Sequence, residues 1–353
     1  MIKTILGKKD FIEYLRGKSA SFLLALSNTK TINIEGITQA GVKGYIHLTP
    51  TLDAEFVCLG EIRSLSDIPK TNKGVPTPAL MTRAVHTLRP FKNIEILDLG
   101  LEVTPKIDYF KQHKFNIPPS DSIDKGANIN AKEVFQKGLE FGQNYTPNSD
   151  YIILAESVPS GTTTAYATAK ALGYRVDGLF SSSFKSVPNS IKENTVEKAL
   201  KNITLNDDIF DILGKVSDNM LIFNSGFILG LNGRVPLILA GGTQFAGVLL
   251  IVNKILEYMQ GEMNSKNLAL ITTKWVAEDE NSNLKALLEM LNFNINSYYL
   301  DFDFSKATNP ILKLYDKGEA KEGVGAGASL VYGALNGITN KQIISKVEEF
   351  FKS

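Results

Sequence analysis

One cysteine, Cys58, in 353 residues excludes an internal disulfide framework and fits a reducing interior. The three histidines, His47, His86 and His113, are too few and too scattered for a zinc site. Neither charge is in excess: 38 basic and 37 acidic residues leave a net charge of +1, so no field favours nucleic acid or an acidic membrane. The longest apolar run, residues 245–252, is too short to span a bilayer. The first ten residues lack the apolar stretch of a signal peptide. Two nucleotide fingerprints are missing as well: no Gly-x-Gly-x-x-Gly is followed by an acidic ribose clamp, and no Gly-x4-Gly-Lys-Ser/Thr occurs. Together these absences point to a soluble cytoplasmic protein with no nucleic-acid or membrane partner and no metal.

What is present is a strand–helix rhythm. Apolar content of 43% is ordinary for a globular chain, and the length suits one large domain with a smaller piece. Apolar runs predict strands at 21–27, 45–48, 94–99, 151–155, 221–224, 237–240, 268–272 and 296–299, several nearly continuous as in a sheet covered on both faces. Helical patterns fall at 79–88, 131–141, 163–172, 194–200, 242–259 and 283–291. The alternation predicts an α/β fold with a doubly wound parallel sheet. Residues 53–78 and 114–130 read as long loops, the second a candidate lid or subunit contact. Both termini read as helical, at 8–16 and 340–351. The expected division is therefore an α/β nucleotide-binding catalytic domain at 20–335 and a small helical subdomain from 1–19 and 336–353.

Glu322 carries the most chemical information. It precedes Gly323-Val324-Gly325-Ala326-Gly327, a segment that packs poorly but lets backbone approach a ligand beside a carboxylate able to accept a proton. A second segment, Glu156 to Ala165, follows an apolar strand and leads into a helix. Its Ser160-Gly161-Thr162-Thr163-Thr164 offers amides, hydroxyls and a helix start to a phosphate, although an ordinary N-cap turn has the same composition. Gly241-Gly242-Thr243 ends another strand with a glycine turn and permits the same close approach, or is simple turn chemistry. Lys192 lies in a polar helical stretch, where a solvated lysine is the ordinary case. Trp275 is a core residue or a stacking platform.

Taken together, these stretches resemble the nicotinate-nucleotide–dimethylbenzimidazole phosphoribosyltransferase family, and their departures fit a divergent, archaeal-type branch. Glu156 to Ala165 is similar to the family's Glu-x-Gly-x-x-Asn-Thr-Thr-x-Ala, with Val158 at the early glycine and Gly161 at the asparagine. Lys192 with Val196-Glu197-Lys198-Ala199-Leu200 looks like its phosphate lysine and following helix. Val276-Ala277-Glu278 looks like its Ser-Ala-Glu-Pro-Gly-His, with Asp279-Glu280-Asn281 in the last three places. Glu322-Gly323-Val324-Gly325-Ala326 looks like Gly-Glu-Gly-x-Gly-Ala, which carries the catalytic glutamate. The resemblance covers residues 151–333.

The resemblance implies a Rossmann-like sheet with a small helical domain and a homo-oligomer. It also implies transfer of phosphoribose from nicotinate mononucleotide to a benzimidazole-type base. The products are an α-ribazole phosphate, for the lower ligand of cobalamin, and nicotinate. No cofactor is required, because the nicotinate leaving group is already cationic. Two other readings stay open: a Mg²⁺-dependent transferase using phosphoribosyl diphosphate, and a non-catalytic nucleotide-binding protein of the same fold.

Overall fold

The computed structural model describes residues 1–66, 68–71, 73–182 and 189–351. Eight strands form one sheet: β1 Ile2–Leu6, β2 Ala20–Leu26, β3 Asn93–Asp98, β4 Lys111–Lys114, β5 Tyr151–Ser157, β6 Leu237–Ala240, β7 Leu268–Thr272 and β8 Asn296–Leu300. Their order is β1-β8-β7-β6-β5-β2-β3-β4. Every neighbouring pair is parallel except β1 on β8. β2, β5, β6 and β7 are buried along their whole length, which is why their sequences are nearly continuous apolar runs rather than alternating ones. The outer strand β4, Lys-Gln-His-Lys, is short and polar, a composition that discourages pairing at an open edge.

Each face of the sheet carries its own core, and alternate strand residues serve the two. Leu23, Leu154 and Leu239 face the helices Ala131–Asn144, Gly161–Ala171, Asn219–Leu231 and Thr243–Met259. Phe22, Ile153 and Ile238 face the helices Thr49–Leu59, Ala79–Leu88 and Ala326–Leu335. Both termini rest on this second face. β1 joins the sheet, while the helices Lys9–Tyr14 and Asn340–Glu349 place Ile12, Ile343 and Val347 in the same core.

Some segments differ from the sequence reading. Residues 45–48 hold a single 3₁₀ turn, Ile46–Leu48. Residues 221–224 lie inside the helix Asn219–Leu231, which is buried on nearly every side, so its sequence carries no helical stripe to betray it. Residues 53–78 are not all loop: the helix Thr49–Leu59 runs into them, with Pro50 in its first turn and Gly60 stopping it in the left-handed conformation. Asp67 and Asn72 of that stretch, and Lys352 and Ser353 of the C-terminal segment, lie outside the described residues. No helix among the described residues is long and apolar enough to cross a membrane.

From β2 the chain moves outward to β3 and β4; from β5 it moves the other way, to β6, β7 and β8. That reversal opens a crevice beyond the carboxyl ends of β2 and β5, where open α/β sheets hold their ligands.

Candidate functional site

The crevice is a cleft of about 990 Å³, its open mouth included. Turns after β5, β6 and β7 form one wall, the segment 320–324 crosses it, and residues from 37–53 and 69–78 close the other side. Of the residues expected from sequence, Glu156, Ser160, Gly161, Thr162, Gly242, Thr243, Val276, Glu322 and Gly323 line this one cleft. Thr163, Lys192, Gly241 and Gly325 stand behind its wall. Thr163 is buried in the first turn of its helix. Gly241 packs on the Phe245 ring, and Gly325 on Ala155 and Phe22. The Lys192 ammonium is buried, donates to the Ser181 carbonyl at 3.0 Å and lies 5.5 Å from the Tyr166 ring centroid. Burial pushes its pKa down to about 8.

Glu322 is held as a carboxylate from both ends. Its Oε2 accepts from Thr273 N at 2.7 Å and Thr272 Oγ1 at 3.3 Å; its Oε1 accepts from Gly323 N at 3.1 Å and Gly327 N at 3.2 Å. Burial nevertheless outweighs these donors and raises its pKa to about 7. Glu156 sits across the same cleft wall. Its Oε2 accepts from Val158 N at 3.1 Å and Gln244 Nε2 at 3.0 Å, while no donor meets Oε1 among the described residues. Burial first, then repulsion from Glu322 and Asp218, raises Glu156 to about 8. Two acids poised near neutrality in one cleft are suited to holding or taking up a proton.

Further charged groups escaped the sequence reading. Asp53 is buried, accepts from Thr77 Oγ1 at 2.8 Å and Ser157 Oγ at 2.7 Å, and is raised by burial to about 7. Lys321, immediately before Glu322, forms a buried ion pair with Asp279 at 2.7 Å. Burial would raise the Asp279 carboxyl, but Lys321 and its hydrogen bonds hold it below the ordinary carboxylate range. Lys70 and Lys321 line the cleft, whereas Lys192 does not; the Lys321 ammonium is spent on Asp279. Gln244, which positions Glu156, directly follows the Gly241-Gly242-Thr243 turn and shares its signal. The helix that carries Asp53 had a legible signal, in its Pro50 start and Gly60 stop, but the role of Asp53 did not.

Two hydroxyls of cleft-lining residues have no partner among the described residues. Ser160, in the left-handed conformation at φ 69°, heads the helix Gly161–Ala171 with its Oγ buried and unpartnered. Thr49 Oγ1, on the opposite side, is likewise buried without a partner. Trp275 is core: it stacks on Phe304 and donates to Asp316. His86 accepts from Phe91 N, and His113 pairs with Glu95, both away from the cleft.

No protein-family model matches the chain. A UPF0284 protein of Saccharolobus solfataricus is 34% identical over 354 residues, covering 99% of this chain and 97% of its own length. A UPF0284 protein of Sulfurisphaera tokodaii is 33% identical with the same coverage. Among solved structures, CobT from Thermus thermophilus matches with a TM-score of 0.60 at 15% identity, over 93% of this chain and 84% of that one. A nicotinate-nucleotide–dimethylbenzimidazole phosphoribosyltransferase from the same organism matches with a TM-score of 0.60 at 15% identity, over 96% and 92%. At that identity the likeness is one of fold.

Proposed function

The chain belongs to the UPF0284 family, and we propose that it transfers phosphoribose from nicotinate mononucleotide to an aromatic nitrogen base, as a step in making the lower ligand of a cobamide. The observation that carries this reading is Glu322: a carboxylate with a pKa near 7 facing a cleft at the switch point of the sheet. The fold shared with a solved phosphoribosyltransferase supports it.

The mononucleotide's phosphate rests on the Ser160–Thr162 turn at the start of its helix, where Ser160 Oγ lacks a partner and the helix end favours an anion. Lys321, neutralised by its ion pair with Asp279, and Lys70 line the same cleft. The Oε1 of Glu156 is open to the sugar. The acceptor ring lies opposite, against the wall from the N-terminal half, so that its nitrogen faces the anomeric carbon from the side away from nicotinate. The attacking nitrogen forms the new C–N bond as the bond to nicotinate breaks, and the anomeric centre inverts to give the α-nucleotide. Nicotinate leaves with the electron pair of that bond, its ring nitrogen becoming neutral. Glu322 takes the N–H proton of the acceptor. One of its longer contacts, to Thr272 Oγ1 or Gly327 N, yields as it does so.

The test is direct. The protein is incubated with nicotinate mononucleotide and a panel of benzimidazoles, and nicotinate release is followed together with formation of the α-nucleotide. Release that depends on the base supports the reading; binding of the mononucleotide with no release in the presence of any base overturns it.

A further inference from the structure

The segment that crosses the cleft joins the 3₁₀ helix Leu312–Lys317 to the helix Ala326–Leu335 and belongs to neither. Two of its residues, Ala320 at φ 53° and Val324 at φ 55°, hold the left-handed conformation on either side of Glu322. A branched side chain seldom adopts it, and such backbone persists only where its surroundings fix it. Several of the fastenings reach back to the sheet and its turns. Val324 N donates to the Glu156 carbonyl at 2.9 Å, and the Val324 carbonyl accepts from Thr82 Oγ1 at 2.7 Å. The Lys321 carbonyl accepts from Thr273 Oγ1 at 2.6 Å, and the Lys321 ammonium pairs with Asp279.

Glu319, three residues before Glu322, is pinned from another direction. Its side chain is only 4% exposed. Oε2 accepts from Gln39 Nε2 at 3.1 Å, and Oε1 pairs with the Lys73 ammonium. Gln39 stands between Thr38 and Ala40, which line the cleft. Lys73 stands in the turn closed by Thr71 N on the Val75 carbonyl at 2.8 Å, and Thr71 and Val75 line the cleft too. One carboxylate thus ties both segments that close the far side of the cleft to the segment that carries Glu322. A pair with a lysine that is 59% exposed contributes little stability, and burying the carboxylate costs some. The arrangement is a weak brace for the fold but a definite fixed point for two loops.

We infer that Glu319 is a positioning residue: it couples the segments around Gln39 and Lys73 to the placement of the Glu322 carboxylate. The inference rests on the transferase reading only for what Glu322 does there; the coupling itself is read without turnover.

Amide hydrogen exchange of the full-length protein tests it. Thr273 and Gly327 donate their N–H groups to Glu322, so their protection reports where that carboxylate stands. E319A should speed exchange about tenfold or more at residues 37–41 and 73–77, and also at Thr273 and Gly327. K73M, which removes only the exposed partner, should give the same pattern at smaller amplitude. A folded E319A protein in which Thr273 and Gly327 exchange as in wild type overturns the inference, even where the two loops loosen, because Glu319 then fastens loops and nothing more. If E319A does not fold, K73M decides, and unchanged exchange at the two amides overturns it. Nicotinate release run in parallel separates the two readings. E319A should lower kcat by about ten- to a hundredfold, the cost of a small misplacement of a reacting group, while the Kd of the mononucleotide, held at the Ser160–Thr162 turn, stays within about threefold. No release from wild type sinks the transferase and leaves the exchange result standing; release by E319A at the wild-type rate overturns the positioning role and leaves the transferase.

Discussion

Replacing Glu322 by glutamine tests the chemistry and the geometry at once. Four donors converge on this carboxylate, two on each oxygen. A glutamine must turn its NH2 towards one of those pairs. On the Thr272–Thr273 side the hydroxyl can rotate to accept, but the Thr273 amide cannot; on the other side both donors are backbone. The variant therefore leaves at least one amide without an acceptor, at a cost of about 1–3 kcal/mol in folding stability. Loss of a positioned base should lower turnover by about 10²–10⁴, equivalent to about 3–5 kcal/mol of barrier. The two effects are read separately, by urea unfolding and by nicotinate release from a saturated, folded sample. The pH profile adds a signature that a structural role would not produce. Glu322 works ionised, so wild-type kcat/KM should rise through about pH 7 and level off, while the residual rate of Glu322→Gln should lack that rise. A variant that turns over within about threefold of wild type, or keeps the same pH profile, refutes the assignment of Glu322 as base.

Three further outcomes follow from the same wall. Asp53, Glu156 and Glu322 have pKa values raised by burial to about 7, 8 and 7, whereas unfolded carboxyls ionise near pH 4. Between about pH 4 and 8 the folded chain thus binds more protons than the unfolded one, and stability should fall as pH rises. Glu156→Gln can keep its oxygen on Val158 and Gln244 and turn its NH2 to the open side, so its melting temperature should fall less from pH 5 to 8 than that of wild type; parallel falls would count against burial of that charge. Lys321→Ala leaves the Asp279 carboxylate unpaired beside the cleft, so it should weaken binding of the anionic mononucleotide by about tenfold or more, and by more than Lys192→Ala does; the reverse order in titrations would place the phosphate deeper, behind Ser181. A Cβ on Gly161 would come within 2.2 Å of Gln244 Nε2, so Gly161→Ala should displace the side chain that holds Glu156 and impair mononucleotide binding in a protein whose melting curve stays cooperative. Unimpaired binding would move the anion site elsewhere.

The sheet was legible because β2, β5, β6 and β7 advertise themselves: a strand buried on both faces needs an unbroken apolar run, and a glycine turn after it marks the carboxyl end where ligands gather. The same logic misleads at residues 221–224, where a helix buried all round produces an equally unbroken run. The site followed a similar division. Glu156, Ser160 and Glu322 stand in local patterns of turn and glycine that need no partner to be recognised. Asp53 does not. What makes it chemical is the approach of Ser157, 104 residues away, and Thr77 from a separate loop, and the exclusion of any cation from their meeting point among the described residues. Lys192 fails in the opposite sense, since its sequence shows a charge but not the depth at which that charge is spent on a carbonyl. Lys321 and Asp279, 42 residues apart, form a pair whose halves look ordinary in isolation. Each is where the chain departs from the motif it otherwise resembles: Asp279 in the place of a proline, Lys321 in the place of the glycine before the glutamate. Two departures that neutralise one another within the cleft wall argue for a rebuilt site rather than a decayed one, because an unpaired buried charge left by either alone would cost several kcal/mol.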